Sequence, residues 1–404
     1  MRFKELLQET RLNGLTVISL NKFVKDGYRG DDDEDENIDD FNLVTEADDF
    51  GLGASYHTLD NPEMQDWMKR IISKHNLPNK EKYKAKDADK FTMPYLHNKL
   101  IKIVDEGGGE YDLDDLRDKI TQRPNEILKY NRKMQHTEKL TGDKYFNIGL
   151  PALRGLAVNE ETGEFVVVDT CPGAGICKTY CYAKKGSYVV YKDSNMAQTR
   201  VLNFLLNDPE GFAEVVKSEI RIAKMKNERR ASKDGKAVKV VIRWHDSGDF
   251  FSPQYLSVAY DIARAFPDNT FYAYTKMSHV ALEDKPENFV INFSEGALPK
   301  EEKKIDFTQI KNSRVVPKEL FKDLIEKGEG DDDQYYWVSD EAWEKFKHAL
   351  ANKYKIDPET IITAEELMTK PDSKKPYWNV VVPPGGTDVS ANKHNVLGSY
   401  LMFH

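Results

Sequence analysis

The sequence predicts an α/β fold built on a parallel sheet that curls part of the way to a (β/α) barrel. Three observations carry this. Short β-branched or aromatic runs alternate with helical stretches at roughly 20–30-residue spacing through the middle of the chain, the mark of parallel strands joined by helices. The chain changes character near residue 146, where polar helical periodicity gives way to that alternation. The 404 residues, 39% of them hydrophobic, suffice for a sizeable core and two or three domains.

Taken in order, residues 1–145 read as a helical and irregular N-terminal elaboration. Apolar residues recur at helical spacing over 64–75 and again over 115–135, on either side of Pro124. The acidic run at 31–40 and the glycines Gly51 and Gly53 mark loops there. The β/α core spans 146–317. EFVVVDT (164–170) is expected as its first strand, followed by helices over 194–208 and 210–230. KVVIRW opens the next unit at 239–244, and Ser252-Pro253 supplies an N-cap and a first-turn proline for a helix over 253–265. Further strands are expected at 270–276, 288–296 and 312–317. Residues 318–404 then hold a helical, acidic insertion over 318–370, a last strand at 378–384, a Gly385-Gly386 turn and a tail. Thr363 and Glu366 form a capping-box pair within the insertion.

Composition narrows the function. The net charge is −9, but residues 171–280 carry 17 Lys or Arg against 11 Asp or Glu, which suits an anionic ligand. The overall acidity speaks against a general nucleic-acid binder. No run of about 18 apolar residues is present, so no membrane span is expected. The first residues lack a continuous apolar stretch, and three cysteines cannot make a disulfide framework, so a reducing cytoplasm is the expected location. No phosphate-loop, H-E-x-x-H or G-x-S-x-G pattern occurs, which disfavours those hydrolases and nucleotidases.

All three cysteines fall within eleven residues, as Cys171-Pro-Gly-Ala-Gly-Ile-Cys177-Lys-Thr-Tyr-Cys181. A Gly-Pro loop of this kind can fold three thiolates around one point. Thiolates favour iron–sulfur clusters or zinc. Three cysteines can hold three irons of a [4Fe–4S] cluster and leave the fourth open. Structural zinc usually takes paired C-x₂₋₄-C units and a fourth ligand, and no second pair exists here. Zinc, completed by a histidine such as His245, is the alternative.

The cysteine loop, with Tyr180 before its last thiol and β/α units after it, resembles the radical S-adenosylmethionine superfamily, although its intervals of five and three residues are longer than the superfamily's three and two. LPALRG (150–155), CPGAGICKTYCYA (171–183), HDSGDFFSPQY (245–255) and FYAYTK (271–276) resemble the gene product 88 family of phage and mobile-element proteins. The closing VLGSYLMFH (396–404) is also similar. The resemblance implies a cluster-bearing, radical-SAM-like partial barrel in a phage-encoded protein of the host cytoplasm. It also implies S-adenosylmethionine as a possible second cofactor, and a reductant such as flavodoxin or ferredoxin if the protein is an enzyme.

Sites in parallel α/β folds gather at the carboxyl ends of strands. The candidates there are Arg243, His245, Asp246, Ser247 and Asp249, then Tyr272, Tyr274 and Lys276, then Asn292, Ser294 and Glu295. His245, Asp249 and Lys276 are the catalytic candidates, since they can hold or move a proton near a strand end. Tyr180, Lys184, Arg200, Arg243, Ser247 and Asn292 are candidates for binding a cofactor, Lys184 and Arg200 because they flank the cysteine loop and the start of the following helix. Cys171, Cys177 and Cys181 are the metal ligands.

The expected function is therefore a [4Fe–4S] protein of radical-SAM-like type acting on an unknown substrate, either a small molecule or a nucleotide or nucleic acid. The alternative is a non-catalytic, cluster- or zinc-stabilised protein that binds host machinery. The sequence leaves the oligomeric state open.

Overall fold

The structure, a computed structural model, describes residues 17–19, 104, 107, 112–178, 181, 183, 192–234, 239–328, 335–373, 377–383 and 388–402. The expected helix at 64–75, the acidic run at 31–40, Gly51, Gly53 and the Gly385-Gly386 turn lie outside these residues.

Strand β1 (Val17–Ser19) comes first. Helix α1 (Leu113–Thr121) starts where the Asp112 side chain accepts the Asp114 N–H, and it buries Leu116 and Ile120 one helical turn apart. Helix α2 (Arg132–Thr141) is capped by the Asn131 side chain and stops at Gly142, whose φ of 77° only glycine adopts cheaply. The two helices flank Pro124, as the sequence predicts. Strands β2 (Lys144–Ile148), β3 (Arg154–Val158) and β4 (Phe165–Asp169) follow. Helices α3 (Lys192–Asn207) and α4 (Pro209–Asp234) lead to strand β5 (Val240–Trp244). Helix α5 (Pro253–Arg264) begins at Ser252, whose side chain accepts the Tyr255 N–H, with proline in its first turn. Then come β6 (Thr270–Thr275), α6 (Ser278–Leu282), β7 (Phe289–Ser294), α7 (Pro299–Glu302) and β8 (Asn312–Val316). The last part holds β9 (Ile325–Lys327), β10 (Tyr335–Trp337), α8 (Asp340–Tyr354), β11 (Ile361–Thr363), α9 (Ala364–Met368), β12 (Trp378–Val382) and β13 (Val396–Met402). Thr363 caps α9 through the Glu366 N–H, as its sequence pairing predicts.

Eight strands form one sheet in the order β11-β12-β13-β8-β7-β6-β5-β2, and every neighbouring pair is parallel. The end strands β2 and β11 do not pair with each other, so this is an open mixed α/β architecture. Alternation along each strand divides the side chains between two faces. Val240, Ile242, Trp244, Phe271, Ala273, Phe289, Ile291 and Phe293 pack on one face with residues of α3, α4 and α5, in the largest core cluster. Tyr145, Val241, Tyr272, Val290 and Met134 pack on the other face, with Ala391 from the segment before β13. Burial on both faces is what parallel sheets require.

Three expectations are corrected. The run 164–170 is a strand, but β4 does not open the parallel sheet: it lies in a separate antiparallel sheet, β1-β4-β3, and β2 opens the parallel one. A β-branched run reports burial, not partner. The closing segment is more than a tail, because β13 lies inside the sheet between β12 and β8. The stretch 318–370 is not simply a helical cover, since β11 forms the sheet edge and β9 pairs with β10. Among the described residues no helix is long and apolar enough to cross a membrane.

Candidate functional site

The parallel sheet delivers the carboxyl ends of its strands to one edge, and the cysteine loop lies across the ends of β5, β6 and β7. The Asp249 N–H donates to the Thr170 carbonyl at 2.7 Å, and the Leu298 N–H donates to the Gly173 carbonyl at 2.9 Å. Gly175 and Cys177 both donate N–H groups to the Gly296 carbonyl, at 3.1 and 3.3 Å. Two glycines permit this contact. A Cβ on Gly173 would stand 2.5 Å from the Lys276 carbonyl oxygen, and one on Gly175 would run into the Ala297 carbonyl.

The three cysteines are half-buried and unbridged. The Leu153 N–H, from a residue with φ of 62°, donates to Cys171 Sγ at 3.2 Å. Cys181 packs against Ala152 and Ala183. Burial pushes the Cys171 thiol well up, and the negative charges of Asp249 and Cys181 add to that. Burial also raises Cys177, opposed by the nearby Lys276 ammonium and reinforced by Cys181. The thiols thus share one electrostatic neighbourhood with Asp249 and Lys276. Raised thiols are poor free nucleophiles, because the thiolate is the reactive form. Among the described residues no group of three or more His, Cys, Asp and Glu side chains is drawn together tightly enough to hold a metal ion.

Asp249 organises the neighbourhood. Its carboxylate accepts the Phe250 N–H at 2.7 Å, the Thr275 hydroxyl at 2.7 Å and the Lys276 N–H at 2.8 Å. Burial raises its pKa, and these hydrogen bonds pull the other way. Lys276 Nζ donates to Ser294 Oγ and to the Glu295 carbonyl, both at 2.9 Å.

The other predicted residues have partners of their own. His245 is buried at a φ of 63°, with its ring among Phe250, Tyr255 and Trp244 and Nε2 2.7 Å from the Tyr255 hydroxyl. Desolvation lowers its pKa to about 3, so the ring is neutral. Ser247 donates to the Leu150 carbonyl at 2.6 Å and accepts from Gln198 at 2.8 Å. Arg200 Nε donates to the Lys119 carbonyl at 2.8 Å, which ties α3 to α1. Arg243 and Asn292 serve the second face of the sheet: Arg243 binds Asp388, and Asn292 donates to the Ala273 and Ala391 carbonyls. Tyr180 and Lys184 lie outside the described residues. Sequence reasoning missed Asp388, which stands in a stretch without any motif and acquires its partner only in the folded chain.

The sequence profile of the gene product 88 family matches residues 125–372 of the chain. No curated protein and no solved structure matches it.

Proposed function

The chain belongs to the gene product 88 family, and on that footing we propose that it is a phage-encoded iron–sulfur protein in which Cys171, Cys177 and Cys181 hold a [4Fe–4S] cluster. One observation carries the reading: a loop bearing every cysteine of the chain is hydrogen-bonded onto the loops that follow β5 and β7, at the sheet edge where α/β folds bind ligands. The donors fit such a group in kind, and binding it would draw the three thiols closer together than they stand. They are soft sulfurs, one of them already accepts a backbone N–H, and the Lys276 ammonium beside Cys177 offsets thiolate charge. Thiols raised by burial ionise when a metal binds, with release of protons.

The finer reading is radical-SAM-like. Three cysteines would leave one iron of the cluster for S-adenosylmethionine, and the bound group would supply one-electron reduction there, fed by a flavodoxin- or ferredoxin-type donor. Within the protein, Asp249 fixes the backbone at Lys276, Lys276 holds the loop after β7, and the glycines bring the cysteine loop down onto both. His245, neutral and enclosed, acts as a core hydrogen-bond partner of Tyr255 rather than a fourth ligand.

Purification without oxygen, followed by iron, sulfide and zinc analysis, tests it. A brown protein with about four irons per chain is expected, and Cys177→Ala should lose the iron while remaining folded. A colourless protein with one zinc would move the cysteines to a structural role in a host-binding protein and remove the radical chemistry. If iron is present, S-adenosylmethionine should perturb the paramagnetic resonance of the reduced protein; an unchanged spectrum would discard the open-iron reading.

A further inference from the structure

The second face of the sheet carries a buried polar row that the thiol site does not use. Asn147 on β2 is paired in register with Arg243 on β5, Arg243 with Tyr272 on β6, and Tyr274 on β6 with Asn292 on β7. Tyr272 belongs to the Tyr145–Val241–Tyr272–Val290 cluster and each of the others lies two residues along its strand from a member, so all share its face. Three donors converge from this row on one carboxylate. Arg243 Nη1 reaches Asp388 Oδ2 at 2.7 Å, Tyr272 Oη reaches the same oxygen at 3.0 Å, and Tyr274 Oη reaches Oδ1 at 3.2 Å. The guanidinium also lies under the Tyr274 ring, 5.2 Å from its centre.

Asp388 belongs to no strand of the sheet. It comes from the covering segment 388–395, which is also held by Asn292 on the Ala391 carbonyl and by Asn392 on the Tyr145 hydroxyl. Beside this cluster, Asn147 Nδ2, Asn292 Oδ1 and Ser313 Oγ are buried and have no hydrogen-bond partner among the described residues. A core built only for stability rarely leaves such atoms unpaired, because each costs desolvation without return. A guanidinium and two phenols around a carboxylate, next to spare donors and acceptors, is the composition of a binding face.

We propose that Arg243, Tyr272 and Tyr274 form a recognition site for a small-molecule carboxylate, occupied in the resting chain by Asp388 and flanked by Asn147, Asn292 and Ser313 for the ligand's polar substituents. The ligand takes the place of Asp388 as the segment 388–395 withdraws. No metal is required for this site.

The full-length chain tests it by thermal melting with acetate and malate against chloride at equal ionic strength. Asp388→Ala, or Asp388→Asn if the first variant folds poorly, vacates the carboxylate position. Malate should then raise the melting temperature saturably, by roughly 3 °C or more, and should bind about tenfold more tightly than acetate. Adding Arg243→Met should abolish both effects, and adding Asn292→Leu should erase the preference for malate. The wild-type chain, where Asp388 competes, should need at least about tenfold more malate for the same shift. Absence of a saturable shift in both Asp388 variants would overturn the proposal. So would equal affinity of wild type and variant, or a shift indifferent to Arg243 and Asn292.

Discussion

The Asp249 carboxylate accepts the backbone N–H of Lys276 at 2.8 Å, joining the loop after β5 to the end of β6 beneath the cysteine loop. The same side chain takes the Thr275 hydroxyl and the Phe250 N–H, while its own N–H anchors Thr170 at the root of the cysteine loop. One buried residue therefore sets the relative height of three loops.

Asp249→Ala should be costly for this reason. It leaves buried donors on Thr275, Lys276 and Phe250 unpaired, a loss of about 3–5 kcal/mol. Asp249→Asn keeps one acceptor oxygen and should lose less than half as much. Urea unfolding of the two variants beside wild type measures the difference. Equal losses would show that the acceptor geometry does not matter.

His245 makes the fold acid-sensitive. Its folded pKa of about 3 lies below its ordinary value of 6.5. Above pH 6.5 both folded and unfolded chains hold it neutral, so it costs nothing. As pH falls from 6.5 towards 3, the unfolded chain takes up a proton that the folded chain refuses. Stability then falls by up to about 1.4 kcal/mol per pH unit. Other groups titrate in this window, so the difference from His245→Asn is the measurement; asparagine tolerates the left-handed backbone at this position. The variant should show a shallower acid slope between pH 6 and 4, whatever its absolute stability. Parallel slopes would refute the assignment.

Local signals in the sequence reach some of this and not the rest. The apolar runs of β5, β6 and β7 and the Ser252-Pro253 helix start are legible because each is decided within a few residues. Strand β2, KYFNI, escapes notice because its inward face carries Tyr145 and Asn147, which read as polar. Strand β13 reads as a tail because Gly398 and Ser399 interrupt its apolar pattern, and its place inside the sheet is fixed by partners far away in the chain. The clustering of the cysteines is legible, and so is their loop. The enclosure of His245 among aromatic rings is not, because a φ of 63° turns the residue in a way that no spacing rule reports. Asp388 is the extreme case: its role depends wholly on Arg243, 145 residues earlier.

Lys311 tests how firmly the covering segment is held. Its Nζ donates to the Ser390, Lys393 and Val396 carbonyls at 3.0, 3.0 and 2.9 Å, although burial lowers its pKa to about 7. Lys311→Met keeps the stem and removes every donor, so it should cost about 2–4 kcal/mol. Hydrogen exchange of the amides in 390–396 should accelerate at least about tenfold relative to those of β5. Uniform acceleration across the sheet would mean that Lys311 supports the whole fold and not this segment.

The last prediction separates loop placement from ligand chemistry. Gly175→Ala leaves all three thiols in place but drives a methyl into the Ala297 carbonyl, so the cysteine loop must lift from the end of β7. Gly173→Ala does the same at Lys276, where the oxygen would be 2.5 Å away. Core packing on the opposite face is untouched, so the global unfolding midpoint should fall by no more than about 1–2 kcal/mol. Metal content per chain should nevertheless drop several-fold in both variants, as is expected of Cys177→Ala. Iron or zinc retained at wild-type levels would show that the loop binds its metal without resting on the strand ends, and the sheet edge would lose its part in the site.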